Sequence, residues 1–232
     1  MVRQASGAAA TRASLISAAL ELFGNHGYDA VSTRQIADHA AANIGSIAYH
    51  FGGKPGLRKA CIEHVIGIVH ESLGPSLSQS LPAGVTADEA LDMLDGMVGT
   101  MMRIGASRPD ADLLSTFMTR EMIVPGEVDG LLYERMARPL HERFCQLFAI
   151  AVGRPEAPEA YALTVFSLLG QSVFFRICKP VVVKRMGWAG FGVDEAQAAI
   201  SVFSDNLRAI VERHRAKAPP TVSPAEPDGV RA

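Results

Sequence analysis

Three cysteines, seven histidines and a scatter of hydroxyls are the side chains with which this 232-residue chain could do chemistry. Cys61, Cys145 and Cys178 are far apart, odd in number and set in apolar stretches. That is the pattern of reduced, buried thiols in a cytosolic protein, not of a disulfide framework. No flanking charge marks any of them as a thiolate. Cys61, His64 and His70 come nearest to a metal-ligand spacing, yet a core cysteine beside surface histidines produces the same spacing. No G-x-S-x-G, H-E-x-x-H, P-loop or G-x-G-x-x-G context occurs. No catalytic residue, metal ligand or cofactor is assigned.

The densest pattern lies in Ser32 to Phe51, STRQIADHAAANIGSIAYHF. Ser32 can cap a helix, Gln35 at the third position completes a capping box, and Val31 with Ile36 can form a hydrophobic staple. Asn43 is an N-cap for a shorter helix reaching about His50, which Gly52 and Gly53 end. Two short helices across a tight turn, behind a first helix, are the helix-turn-helix plan, whose second helix enters a DNA groove. Ile36, Ala37 and Ile47 then face inward, and Ala40 and Ala41 are small where the helices approach. Ile44, Gly45, Ser46, Ala48, Tyr49 and His50 are left facing outward.

The elements that must position this segment are helical throughout. Leu15, Ala18, Ala19, Leu22 and Phe23 recur at helical spacing over Thr11 to Phe23, with Gly24 and Gly27 as stops and residues 1–10 as a flexible arm. Pro55 opens a fourth helix to about Leu73, and Gly74 to Val85 reads as a loop. Thr86 with Glu89 caps a helix to about Ala106, and another spans 110–123 up to Pro125-Gly126. Glu127 to Val152 is helical with a kink at Pro139. A long helix covers Pro155 to Lys179, and Asp194 with Gln197 caps a last one ending near Arg215. The four prolines after Ala216 predict a disordered tail. The expected fold class is all-α, divided into an arm (1–10), a helix-turn-helix domain (11–54), a larger helical body (55–215) and a tail (216–232).

Composition fits this division. The chain is 48% hydrophobic and 20% charged, enough apolar matter for a core. Its net charge of −2 argues mildly against nucleic acid, but the charge is unevenly spread. Residues 1–60 carry +3 and the remainder −5, as suits a DNA-binding head on a body that meets no DNA. The N-terminus lacks the apolar core of a signal peptide, and Ala162 to Phe175 is short and polar for a membrane span. A cytoplasmic protein with no membrane partner is expected.

Over Thr11 to Ala60 the chain resembles the TetR/AcrR family of regulators. The likeness rests on a helix ending Phe-Gly-x-x-Gly-Tyr, then Ser-Thr-Arg-Gln-Ile-Ala, Ile-Ala-Tyr-His-Phe, Gly-Gly-Lys and Gly-Leu. It implies an all-helical homodimer that represses genes from a palindromic operator in double-stranded DNA until a small-molecule inducer releases it. By position, Ser32, Thr33 and Arg34 would meet the DNA backbone, Ile44 to Ala48 would face base edges, and Tyr49, His50 and Lys54 would hold phosphates. With no Arg, Asn or Gln among Ile44 to Ala48, readout falls to Ser46, thymine-methyl contacts and DNA shape.

The body is similar to the CecR-like subgroup through Thr119-Arg120-Glu121-Met122, Leu132-Tyr133-Glu134-Arg135, Arg138-Pro139-Leu140-His141, Gly170-Gln171, Phe175-Arg176 and Arg185-Met186-Gly187-Trp188. An inter-helix pocket is the natural ligand site in such a fold. Its apolar candidates are Met101, Phe117, Met118, Met122, Phe144 and Phe148, and its polar ones Arg120, Glu121, His141 and Gln171. Each is equally an ordinary core or ion-pair residue. Helices at about 157–179 and 194–215 carry apolar faces (Leu163, Phe166, Leu169, Val173; Ile200, Phe203, Leu207, Ile210, Val211) that suit a four-helix dimer interface or the subunit's own core. The alternatives are a helical small-molecule-binding protein without a DNA role, which the uncharged reading face keeps open, and an enzyme.

Overall fold

The computed structural model describes residues 2–78, 80–123 and 129–216, and every regular element among them is helical. The elements are α1 (Val2–His26), α2 (Thr33–His39), α3 (Gly45–Phe51), α4 (Lys54–Ser78), α5 (Ala87–Ser107), α6 (Ala111–Ile123), α7 (Asp129–Leu132), α8 (Arg138–Ala151), α9 (Ala162–Ile177), α10 (Lys179–Met186) and α11 (Val193–Ala216). A π-helical turn, Tyr133–Ala137, joins α7 to α8, and a 3-10 turn, Pro158–Tyr161, precedes α9.

These helices close on two cores, and the division does not follow the chain. The first gathers Leu15, Phe23, Ile36, Ile47, Leu57 and Ile62 from α1–α4, but also Leu114, Phe117 and Met118 from α6. The second holds Leu94, Phe144, Phe148, Val165, Phe203 and Leu207, from α5, α8, α9 and α11. α4 serves both, with Leu57 to Ile68 in the first and Leu73 in the second. The head anticipated at 11–54 is thus completed by a helix from the body. α5 and α11 also meet through polar pairs: Asp88 with Arg215 (3.1 Å), and Asp92 with Arg208 (3.5 Å).

Several local expectations change, each for a physical reason. The helix expected from Thr11 begins at Val2, because residues 2–10 include four alanines, the best helix formers, and Thr11 Oγ1 donates back to the Gly7 carbonyl (2.9 Å). Gly24 is not a stop. It lies inside α1, where α6 approaches so closely that a Cβ would sit 3.2 Å from the Phe117 nitrogen. Gly27, at φ +87°, ends the helix. α4 runs on to Ser78, into the first part of the stretch expected to be a loop.

At Pro139 the disturbance is a widened turn. Proline removes the N–H that would bond the Arg135 carbonyl four residues back. The preceding residues take π spacing, with Arg138 N–H donating to the Tyr133 carbonyl, and His70 Nε2 of α4 stands 3.0 Å from the Arg135 oxygen. The expected 155–179 helix is three elements, because Pro158 and Pro180 each sit in the first turn of a new helix. The last cap is displaced by two residues: the Glu195 carboxylate, not Gln197, accepts from the backbone N–H of Gly192 (2.8 Å). Pro125-Gly126 and the tail from residue 217 lie outside the described residues.

Candidate functional site

Ser32 builds the entry to α2. Its hydroxyl accepts from the Gln35 N–H (3.2 Å), and the Gln35 side chain accepts from the Ser32 N–H (2.8 Å), so both halves of the capping box are present. Val31 and Ile36 are buried beneath it. The turn to α3 passes through Ala41 at φ +49°, a left-handed position that costs a residue with a Cβ about 1–2 kcal/mol. Asn43 then folds back, its Oδ1 accepting from the Gly45 N–H (2.8 Å), and the N-cap of α3 is Ile44, one residue beyond the expected Asn43. Ile47 is the buried residue of α3. Gly52, at φ +73°, caps its end. Gly56 fixes the seating of α3 on α4, since a Cβ there would overlap the carbonyl oxygen of Phe51.

The outward set is arranged along one edge of this unit. Tyr49 is 82% exposed and Ile44 52% exposed. Gly45 and Ala48 are exposed, and Ser46 and His50 are half-buried. Ser32 and Arg34 are exposed and Thr33 half-buried at the start of α2. Lys54 Nζ lies 4.2 Å from the centre of the Tyr28 ring, which steadies its cation at the start of α4. Arg12 is stacked over Phe51 (5.3 Å) and contributes to the joint between α1 and α3.

α6 attaches the body to this unit through two adjacent residues. Arg120 Nε donates to the Gly24 carbonyl (3.1 Å) and Nη2 to the Asn25 carbonyl (3.4 Å), at the end of α1 where the helix dipole favours a cation. Glu121 is buried and pairs with Arg58 of α4 through Nη2 (2.9 Å) and Nε (3.0 Å). Arg58 in turn stacks on Tyr28 (4.6 Å). Arg120 and Glu121 thus do not pair with each other; each reaches a different helix of the head.

Behind this joint a cavity opens along the seam between the two cores. Its mouth, about 420 Å³, is lined by Ser115, Thr116, Thr119 and Arg120 of α6 and by Arg176 of α9. Smaller spaces of about 70 and 30 Å³ continue from Arg176, one against Val65, Ile68 and Val69 of α4 and the other against Met101 and Phe191. Three ligand candidates, Met101, Met118 and Arg120, line these spaces. Phe117, Phe144 and Phe148 are fully buried within the cores. Glu121 is occupied by Arg58, and Met122 is exposed at the surface. His141 stacks on Phe166 (3.8 Å) and lies 3.1 Å from the Ala162 carbonyl. Gln171 accepts from Asn206 of α11 (2.9 Å). Arg176 was not among the expected ligand residues, although a single charge closing the apolar run LLGQSVFF was a usable signal.

The thiols do not converge on any site. Cys61 is buried with its sulfur 3.7 Å from the Ile16 carbonyl, whereas His64 is exposed. Burial raises the Cys61 pKa, with the Glu121 charge adding to it. Burial, helped by Glu159 and Glu142, pushes Cys145 up to about 11. Both are protonated at neutral pH.

A capped helix pair with an exposed second helix, joined to a helical body, defines a helix-turn-helix DNA-binding regulator. Residues 15–61 match bacterial regulatory proteins of the tetR family, and residues 90–213 match the C-terminal domain of the HTH-type transcriptional dual regulator CecR. The chain is 30% identical over 187 residues to the CecR regulator of Shigella flexneri, covering 79% of this chain and 83% of that one. It is 31% identical over 119 residues to the regulatory protein RaaS of Mycobacterium tuberculosis, spanning 51% of this chain and 48% of that one. AibR, solved with isovaleryl coenzyme A and operator DNA, superposes with a TM-score of 0.60 at 14% identity over 84% of this chain and 97% of its own. AmtR of Mycobacterium smegmatis gives 0.55 at 20% identity over 88% and 91%. The chain belongs to the tetR family of transcriptional regulators, in the group that carries the CecR C-terminal domain.

Proposed function

We propose that this chain is a dimeric repressor that a small molecule releases from a palindromic operator. The observation that carries this reading is the double grip of α6. One helix lines the cavity, holds the end of α1 through Arg120 and holds α4 through Glu121. A ligand that favours a different setting of α6 would shift both helices against which α2 and α3 are seated, and so the spacing of the two reading helices in a dimer. In this reading Thr33, Arg34, Tyr49, His50 and Lys54 grip phosphates. Ile44 to Ala48 lie in the major groove, where Ser46 is the side chain able to hydrogen-bond a base.

The dimer is supported by α9. Leu163 is 84% exposed, and Phe166 and Phe174 are each about half exposed. Pro158–Ile177 is long and apolar enough to cross a membrane by length and composition, contrary to expectation, and little of it is buried. A second copy would cover such a surface, and two-fold symmetry suits a palindromic operator. The α11 residues expected to join it (Ile200, Phe203, Leu207 and Val211) are instead buried in the subunit's second core, and α11 presents Val202 outward. The proposed interface is therefore centred on α9, with the outer face of α11 at its margin.

Light scattering of the full chain tests assembly. A mass twice the 24.7 kDa of one chain is expected, falling to one chain on Leu163→Glu with Phe166→Glu. A wild-type monomer contradicts the dimer. The coupling is tested with Arg120→Ala, which lies behind the reading helix. Altered affinity for DNA from the promoter beside its own gene supports the grip of α6; unchanged affinity contradicts it.

A further inference from the structure

Arg176 stands out among the charged side chains of the body. The spaces along the seam converge on it: the mouth against α6, the apolar space against α4, and the small one beside Met101 and Phe191. Its guanidinium has no hydrogen-bond or ion-pair partner among the described residues, and the nearby Asp112 carboxylate is taken by Lys179 at 2.7 and 2.8 Å. Arg176 is exposed to solvent at the cavity, and the protein around it removes enough hydration to lower its pKa. Five N–H donors in a planar fork match a carboxylate or phosphate. Ser115, Thr116 and Thr119 add hydroxyls at the same mouth. Behind the arginine, Ile68, Val69, Leu114 and Met118 offer an apolar wall, and the one other charge lining that space, Arg108, is paired with Asp110 (2.8 Å).

We propose that the effector of this regulator is an amphipathic anion, held by its carboxylate or phosphate on Arg176, with its apolar part lying against α4 and α6 in the seam. The proposal rests on the ligand-released reading above and specifies its ligand class. An exposed guanidinium that no protein group pairs with keeps its donors free for an anionic ligand, and the cavity beside it limits how much water competes. Such a ligand occupies the gap between the two cores and touches α6 on the face beside Thr119 and Arg120.

Trp188, the single tryptophan, sits 6.0 Å from the ring of Phe191, which lines the space beside Arg176, so its fluorescence reports occupancy without DNA. The full chain is titrated with octanoate, octyl phosphate and 1-octanol. Saturable quenching or enhancement by at least one of the two anions, with 1-octanol at least tenfold weaker, is expected; the comparison of octanoate with octyl phosphate tells which headgroup fits. Arg176→Met should weaken the anion about tenfold to a hundredfold, the range for one charge-assisted interaction, and Arg176→Lys should recover part of it. Because the charge has no partner, Arg176→Met should also melt no lower than the wild type. Equal binding of 1-octanol, no binding of either anion, or an unchanged affinity in Arg176→Met overturns the site, and a melting temperature lowered by several degrees makes Arg176 structural. The repressor reading is judged separately, by promoter binding without any amphiphile. Anion binding with no effect on promoter DNA leaves the site standing and refutes the release.

Discussion

The first core and the seam that separates it from the second treat their polar groups differently. In the first, polar side chains are satisfied within the chain: Ser32 with Gln35, Arg58 with Glu121, Arg120 with two carbonyls of α1. At the seam with the second, Arg176 has no protein partner among the described residues and stands beside a cavity. A unit that must present a fixed surface to DNA gains from having each cap and charge tied down. A unit that must respond to a ligand needs a site whose unsatisfied group the ligand completes. The contrast also explains why α6 belongs to the first core although it lies in the body sequence. It is the element through which the unsatisfied side can act on the satisfied one.

The largest expected effect separates the two ends of α4. Gly56→Ala should abolish promoter binding, because its Cβ and the Phe51 carbonyl cannot both keep their places and α3 must move. Gly67→Ala, on the body side of the same helix with open space around it, should stabilise by up to about 1 kcal/mol and leave DNA binding intact. Fluorescence anisotropy and thermal melting together decide this. If Gly56→Ala binds DNA normally, the seating argument fails.

Next comes the buried pair. Glu121→Ala should cost about 3–5 kcal/mol in denaturant unfolding, because Arg58 is left buried without its anion. Arg58→Met with Glu121→Leu should recover most of that loss while still altering DNA affinity. A loss below 1 kcal/mol for Glu121→Ala would mean that the head does not depend on α6.

Smaller effects lie on the reading face. Tyr49→Phe should weaken promoter and unrelated DNA alike, by about fivefold for one lost hydrogen bond of roughly 1 kcal/mol, without changing stability, since the side chain is largely exposed. Ser46→Ala should instead change the ranking of operator variants. Ser32→Ala should lower stability by about 1 kcal/mol through the lost cap. If Tyr49→Phe alters sequence preference more than Ser46→Ala does, the division between grip and readout is reversed.

The smallest effect concerns the thiols. Cys145 has its pKa raised from 9.0 to about 11, so the folded state favours the protonated thiol. Its contribution to stability is complete below pH 9 and is lost as pH rises towards 11. Native protein should resist alkylation at Cys61 and Cys145 at pH 8, leaving half-buried Cys178 to react first. Mass spectrometry of the alkylated chain settles the order.

The same contrast governs what was legible in the sequence. Helix starts were readable because local chemistry specifies them: Ser32–Gln35 in the head and Thr86–Glu89 in the body bond over three residues, and both boxes stand where they were read. Gly24 was misread because its reason is long-range, the approach of α6 more than ninety residues away in sequence. Pro139 was read as a kink, but the π turn with His70 opposite Arg135 depends on a neighbour that no local pattern names. In the body, Phe117, Phe144 and Phe148 have the same residue type and spacing as a pocket wall and are core instead, because helical periodicity marks a buried face without saying what covers it. Arg176 shows in the sequence only as a charge closing an apolar run; that it has no partner among the described residues is revealed by the fold.

The account rests on the head binding DNA through its edges, and one measurement meets that claim directly. Anisotropy of labelled promoter DNA from beside this gene, titrated with the full chain across a range of salt, should show a preference over unrelated DNA and a steep loss with salt. If Arg34 and Lys54 of two subunits each neutralise one phosphate, the log–log slope should be about −3 to −4. Binding that is absent, or indifferent to both salt and sequence, would contradict the account.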